Sequence, residues 1–252
     1  MKDNFSKQAD AYARFRPTYP DEAFDFILST VKTKDAVWDC GTGNGQLAAK
    51  LSGYFNTVFA TDISEKQLSN AVKRENIRYI VASAEENSFT ENQFDLVTIA
   101  QAIHWFNFDR FYAKVHAVLK DEGIIAVIGY ALLEIDEATD KVVQKLYIDV
   151  LGPYWDKERE YINQRYATIP FPFDEIKSGQ QFVQVMQWSA DDLIGYLNTW
   201  SAVQHYMEQN KSNPVEEIAE ELRQLWGNED KKTVRFPTLL RIGRNVKQPR
   251  KA

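Results

Sequence analysis

Two aspartates and three glycines carry the clearest chemistry in this 252-residue chain. The stretch VWDCGTGNGQL sets Asp39 at the end of a short apolar run, followed at once by Gly41, Thr42, Gly43 and Gly45. Glycines so spaced let the backbone turn tightly and come close to a ligand, because they have no Cβ. A dinucleotide-binding turn reads G-x-G-x-x-G and seats a pyrophosphate on a helix N-terminus. Here the run is G-x-G-x-G, with Gln46 in the place of the third dinucleotide glycine. Asp39 would also repel a pyrophosphate. A carboxylate there suits a cationic ligand, and S-adenosylmethionine (SAM) has an α-ammonium group, a sulfonium and no phosphate.

Asp62 closes the run TVFATD, 23 residues beyond Asp39, and one carboxylate can accept both hydroxyls of a ribose. Further on, VASAEE puts Ser83, Ala84 and Glu85 where they could meet an adenine edge. Any one acidic residue after a strand is more often a helix cap or a solvated charge. Three in order at successive strand ends point to a site. For proton transfer the candidate is His104, in AQAIHWF, with Trp105 and Phe106 shaping a pocket beside it. A base is needed only where the nucleophile must shed a proton, as a phenol does and a carboxylate does not. His104 could also simply stack or bond the backbone. His116 and His205 sit in helical patterns and read as structural or solvated. No cluster of histidines and carboxylates has metal-ligand spacing, so no metal is expected. The lone Cys40 excludes an internal disulfide and reads as a buried structural thiol.

These residues need a scaffold that brings strand ends together. Between Ala36 and Tyr130 the runs VWDC, TVFATD, IRYIVAS, FDLVTIAQ and GIIAVIGY read as five strands, bounded by turn or polar residues. Unbroken apolarity such as GIIAVI suits strands covered on both faces, as in a parallel sheet. Helices are expected at 46–51, 65–74 and 109–119, the second capped by Ser64 with Gln67 three residues on. In the third, Phe111, Val115, Val118 and Leu119 recur at helical intervals and should face the sheet. This is a doubly wound α/β pattern. The regularity fails from Leu132 to Phe173, an aromatic insertion with helical stretches. Thereafter FVQVMQWS reads as a strand, DDLIGYLNTWSAVQHYM as one helix, and NPVEEIAEELRQLW as another capped by Asn213. A last strand, TVRFPTLLRIGRN, contains Pro237, which implies an edge or bulge there.

On these motifs (DCGTGNG, ATDIS, SAEE, FDLVTIAQAIHWF and LKDEGIIAVIGY) the sequence resembles the class I SAM-dependent methyltransferases, within the group that includes the trans-aconitate and ubiquinone-pathway enzymes. The resemblance implies a Rossmann-like, doubly wound seven-stranded sheet with its last strand antiparallel, FVQVMQWS and TVRFPTLLRIGRN being strands six and seven. It implies that Asp39, Thr42 and the glycines line the methionine end of SAM, and that Asp62, with Ile63 beside it, holds the ribose. Ser83, Ala84 and Glu85 would flank adenine, and Ala100 and Gln101 would lie beneath the cofactor. The opening FSKQADAYARFRPTYP resembles the cofactor cover of this group, with Tyr12, Arg14, Arg16 and above all Tyr19 as closing residues; the same text also fits a surface helix. The chain then divides into that cover (1–35), a SAM-binding core (36–131), a helical acceptor lid (132–180) and the remaining core (181–252).

The expected partner is a small organic acceptor, a carboxylic acid being one reading, touched by His104, Trp105 and Trp155. Arg159 and Arg165 could pair an acid or be solvated. Rival readings are a noncatalytic SAM-binding module and an NAD-dependent oxidoreductase, the latter opposed by Gln46. Composition agrees with a globular enzyme, 44% hydrophobic and 26% charged. A net charge of −6 argues against nucleic acid as partner, although eight Lys or Arg and no acid follow from Lys231 onward. No apolar run approaches the about 18 to 20 residues that span a bilayer, and the N-terminus lacks a signal-peptide pattern, so a cytoplasmic protein without membrane contact is expected.

Overall fold

The computed structural model describes residues 15–247, so Tyr12, Arg14 and the basic end after Lys247 lie outside the described residues. A helix, α1 (Asp21–Ser29), precedes five parallel strands and the helices between them: β1 (Ala36–Cys40), α2 (Gln46–Leu51), β2 (Thr57–Asp62), α3 (Glu65–Ser69), β3 (Ile77–Val81), β4 (Phe94–Ala100), α4 (Phe108–Val118) and β5 (Leu119–Tyr130). Every apolar run expected as a strand is one. The sheet order β3-β2-β1-β4-β5 reverses its winding between β1 and β4, which opens a crevice at their carboxyl ends.

β4 and β5 are buried on both faces, as their unbroken apolar text requires. On one face Phe111, Val115, Val118 and Leu119 are fully buried against Trp38, Phe94 and Val97. On the other, α1 and α2 cover Val37, Val58, Leu96 and Ala126. The Ser64 hydroxyl accepts the Gln67 amide at 3.3 Å and starts α3 as expected, but that helix stops at Ser69 rather than running to Arg74.

The second half holds α5 (Glu137–Lys145), a π-helical turn at Leu146–Val150, α6 (Glu160–Asn163), β6 (Asp174–Ile176), β7 (Val183–Trp188), α7 (Ala190–Asn198), α8 (Ser201–Asn210), α9 (Glu216–Trp226) and β8 (Lys232–Arg244). β8 is the antiparallel strand. Its residues Thr238–Arg244 pair with β5, and Lys232–Pro237 pair with β7. The main sheet has seven strands in the order β3-β2-β1-β4-β5-β8-β6, with β7 carried on β8. Strand six is thus interrupted: β6 and β7 run along the same strand β8, and the step from Ile176 to Val183 spans seven residues where β8 spans five, from Ile242 to Pro237. FVQVMQWS is its second part. Pro237, with no N–H to give, stands where β8 changes partner, and its carbonyl accepts the Ala131 amide at 2.9 Å.

Two local expectations are corrected. The single helix read over DDLIGYLNTWSAVQHYM is two, because Trp200 adopts an extended conformation (φ −70°, ψ 134°) and buries its indole, 1% exposed. Asn213 does not cap α9; its side chain accepts the Val215 amide at 2.9 Å and shapes the turn before the helix. The insertion's Val143, Leu146, Tyr147 and Leu151 share a core with Leu193, Trp200 and Leu222 from α7 to α9, so the helical layer draws on both stretches of sequence.

Candidate functional site

All three glycines after β1 take left-handed conformations, with φ of 69°, 56° and 77° at Gly41, Gly43 and Gly45. A Cβ on Gly41 would lie 2.8 Å from the Cβ of Ala102, so the loops after β1 and β4 meet there. A Cβ on Gly45 would strike the Tyr79 hydroxyl. Among the described residues nothing lies within 4 Å of a Cβ on Gly43, which leaves that backbone face open to a ligand's close approach. The Gly41 and Thr42 amides both donate to the Thr61 carbonyl at 2.9 Å, fastening the loop to the end of β2. The Asp62 carboxylate accepts the Gly43 amide through one oxygen and the Ser64 amide through the other, each at 2.9 Å. It therefore stands at the rim of the glycine loop, with Ile63 half-buried beside it.

Asp39 is fully buried. Its oxygens accept the Thr42 hydroxyl at 2.5 Å and the Thr98 hydroxyl at 2.8 Å. Burial raises its pKa to about 6, against the lowering effect of those two hydrogen bonds, and nearby Asp62 pushes the same way as burial. The carboxylate thus acts from beneath the loop, as a buried charge holding Thr42 in place. Thr98 went unnoticed in the sequence. Its signal was a lone hydroxyl inside FDLVTIA, and it pairs in register with Asp39 on the neighbouring strand.

At the end of β3, Ala84 is buried, while Ser83 and Glu85 are half-buried. The Ser83 hydroxyl accepts the Glu86 amide at 2.9 Å, and Glu85 accepts the Asn107 amide at 2.9 Å, joining this loop to the start of α4. Ala100 closes β4, and Gln101 follows in a left-handed conformation, φ 53°. Its side-chain oxygen accepts the Tyr130 amide at 3.0 Å. The carboxyl edge therefore gathers the residues after β1, β2, β3 and β4 around one crevice.

Beyond β4 a short helical turn, Ile103–Trp105, carries His104 and Trp105. With Gln101 they line a cavity of about 40 Å³ whose other walls include Trp155 and Arg159 from the insertion and Arg16 from the N-terminal segment. His104 is 6% exposed and lies against Trp105 and Tyr166, with ring centroids 5.0 and 6.3 Å away. Burial, aided by the positive charge of Arg159, lowers its pKa to about 3. It is neutral near pH 7 and a weak base, which weighs against proton abstraction there. Arg165 is exposed, away from this cavity. Of the other histidines, His116 bonds Asn245 at 2.8 Å and His205 the Tyr154 carbonyl at 2.9 Å.

The N-terminal segment reaches the same edge. Arg16 donates to the Tyr130 hydroxyl, the Thr199 hydroxyl and the Thr199 carbonyl, each at 2.9 Å. Tyr19 lies 6.2 Å from the Tyr130 ring and lines a larger cavity of about 390 Å³ with Gln46, Leu47, Thr98 and Ile128. Two basic residues of β8 are paired within the fold: Lys232 with Asp136 at 2.9 Å and Arg241 with Glu175 at 2.8 Å. No described helix is long and apolar enough to cross a membrane.

Comparison with known proteins agrees with this fold. Residues 38–127 match the family model of a methyltransferase domain. A Dictyostelium discoideum protein described as a "putative methyltransferase" is 33% identical over 232 residues, covering 90% of this chain and 88% of its own. A "probable S-adenosylmethionine-dependent methyltransferase" of Saccharomyces cerevisiae is 26% identical, covering 81% of this chain and 82% of its own. Among solved structures, a "putative type II methyltransferase" from Anaeromyxobacter dehalogenans superposes with a TM-score of 0.85 at 34% identity, over 93% of this chain and all of that one.

Proposed function

This chain belongs to the class I SAM-dependent methyltransferases, and from that premise we propose that it methylates a small organic acid by in-line displacement. The observation that carries the acceptor reading is the cavity beyond β4, where aromatic walls from Trp105 and Trp155 meet the guanidinium of Arg159. Such walls suit an organic molecule with apolar surface, and a guanidinium suits a carboxylate.

SAM, when bound, supplies a methyl group already activated by the sulfonium charge. The open backbone at Gly43, the loop from Gly41 to Gly45 and the Asp62 carboxylate fit that group, with Asp62 the proposed ribose acceptor. Ser83, Ala84 and Glu85 are the proposed adenine border, and Ala100 and Gln101 the floor. Asp39 supports the cationic end from below through Thr42. Arg16 and Tyr19 close the N-terminal side and exclude water. A carboxylate acceptor sheds no proton, and the weak basicity of buried His104 supports that choice: its proposed part is to pack the pocket wall rather than to take a proton. With the electrophile already activated, alignment and desolvation supply much of the rate. The partner on this reading is a small molecule, with neither nucleic acid nor membrane involved, in a cytoplasmic setting.

The test is a screen with methyl-labelled SAM over organic acids, phenols, quinone precursors and RNA. Label entering acids as base-labile esters is the expected result. Label entering only phenols or RNA would overturn the acid reading, and SAM binding without transfer to any acceptor would favour a noncatalytic module. Calorimetry with SAM, S-adenosylhomocysteine and NAD separates the oxidoreductase alternative.

A further inference from the structure

The π-helical turn at Leu146–Val150 closes through the Leu151 amide and the Leu146 carbonyl at 2.9 Å, five residues apart, and it displays Tyr147 toward the acceptor cavity's wall. Such insertions in a helix occur mostly as single turns, frequently at functional sites. Tyr147 is 9% exposed and makes three polar contacts. Its hydroxyl donates to Asn163 Oδ1 at 2.6 Å and accepts Arg159 Nε at 2.8 Å, and its carbonyl accepts Trp155 Nε1 at 3.0 Å. Two of the residues it holds, Trp155 and Arg159, line the cavity.

Arg159 is fixed by this arrangement. Its guanidinium carbon lies 4.8 Å from the Trp155 ring centroid and 5.4 Å from that of Tyr147, and its Nε is bonded to the Tyr147 hydroxyl. Among the described residues it has no ion pair, and its terminal nitrogens have no hydrogen-bond partner. Among the described residues, two polar atoms of residues lining the same cavity are buried without a partner, Trp105 Nε1 and His104 Nδ1. Buried donors left unmatched in a native protein are rare and call for a ligand or a role. Indole N–H and guanidinium N–H can only donate. The complement of the Trp105 indole and the Arg159 guanidinium is an acceptor-only, negatively charged group, for which the fixed fork of an arginine is well shaped. Among the described residues the cavity is lined by two guanidiniums, those of Arg16 and Arg159, and one carboxylate, that of Asp156.

We infer that Tyr147 is a positioning residue which turns the terminal nitrogens of Arg159 toward a carboxylate of the acceptor, with Trp105 Nε1 as the second donor. The inference rests on reading this cavity as the acceptor site. It deepens that reading by naming what selects the substrate: Arg159 recognises charge, and the Asn163–Tyr147 pair fixes the direction in which Arg159 points. Lysine cannot substitute, since it has no Nε edge for the tyrosine to hold.

The test uses the full chain with methyl-labelled SAM, and small carboxylic acids paired with their neutral amides as acceptors. Tyr147→Phe should raise KM for acids about tenfold and leave kcat within about twofold, as expected when one hydrogen bond to a charged group is lost. Arg159→Gln should raise KM further and erase the preference for acid over amide. The double variant should resemble Arg159→Gln alone, because the tyrosine acts through the arginine. Arg159→Lys should fail to restore selectivity. Calorimetric SAM affinity, unchanged in each variant, reports that the protein is folded; Asn163→Ala, which alters only the far end of the relay, should shift KM in the same direction by less. Equal use of acids and amides by the unmodified protein, or additive effects of Tyr147→Phe and Arg159→Gln, would overturn the inference while leaving a methyltransferase with another acceptor. Transfer to no acceptor at all, with SAM bound, would remove the acceptor-site reading and this inference with it.

Discussion

The carboxylate of Asp62 accepts the backbone amide of Gly43 at 2.9 Å, so the residue proposed to hold the ribose also fixes the loop proposed to hold the methionine end. Loss of that carboxylate removes the proposed ribose contact and frees two amides, those of Gly43 and Ser64.

Asp62→Ala should therefore weaken SAM by about 1 to 3 kcal/mol, the range for losing a charged acceptor. Asp62→Asn retains one carbonyl oxygen and should lose less. Calorimetry with S-adenosylhomocysteine checks both, and unchanged affinity in a folded Asp62→Ala protein would sink the assignment.

Gly45→Ala places a methyl group against the Tyr79 hydroxyl at a left-handed backbone position. Left-handed backbone disfavours a Cβ by roughly 1 to 2 kcal/mol, and the clash adds to it. Thermal melts should show destabilisation. Tyr79→Phe in the same chain removes the hydroxyl and should recover part of the loss; no recovery would mean that the hydroxyl clash does not contribute.

Asp39 and His104 should tilt stability with pH in opposite directions. The pKa of Asp39 is raised from 3.8 to about 6, so its contribution is full below pH 4 and is lost as pH rises through 6. Between these values the native state holds the extra proton, and stability falls by up to about 1.4 kcal/mol per pH unit. Asp39→Asn should remove that fall, which denaturant titrations at pH 4.5 and 6.5 would reveal. A cationic ligand favours ionised Asp39, so SAM binding near pH 6 should release protons. Calorimetry in buffers of different ionisation enthalpy measures this.

His104 has its pKa lowered from 6.5 to about 3, so its contribution is present above pH 6.5 and is lost as pH falls toward 3. His104→Phe should flatten the acid side of the stability curve. In turnover, the pH dependence of kcat/KM between 5 and 8 should show no inflection from this residue. A profile that moves with His104→Gln would restore it as a base.

Much of the framework was legible in the residues because local text and burial agree there. Five apolar runs bounded by polar turns read as strands, those of β4 and β5 as covered ones, and the glycines with Asp39 and Asp62 stood at the ends of the first two. Ser64 capped its helix as its spacing required. The insertion was harder to read: aromatic residues spaced for packing look the same as those spaced for binding. Tyr147 was hidden because its role depends on Arg159 and Asn163, twelve and sixteen residues away, meeting across a π turn. The break between α7 and α8 was hidden too, since Trp200 leaves the helix to bury its indole in a core it does not share with its sequence neighbours alone.

By itself the sequence determined the α/β winding, the glycine loop and the carboxylates that follow the strands, because period, turn chemistry and charge are properties of adjacent residues. Only the tertiary structure decided what those groups face. It buried Asp39 against the hydroxyls of Thr42 and Thr98, drew His104 out of water so that burial lowers its pKa, and tied the Nε of Arg159 to the Tyr147 hydroxyl at the wall of the cavity. Desolvation and hydrogen-bond partnership are set by residues distant in the chain, and they fix the chemistry that a side chain's identity leaves open.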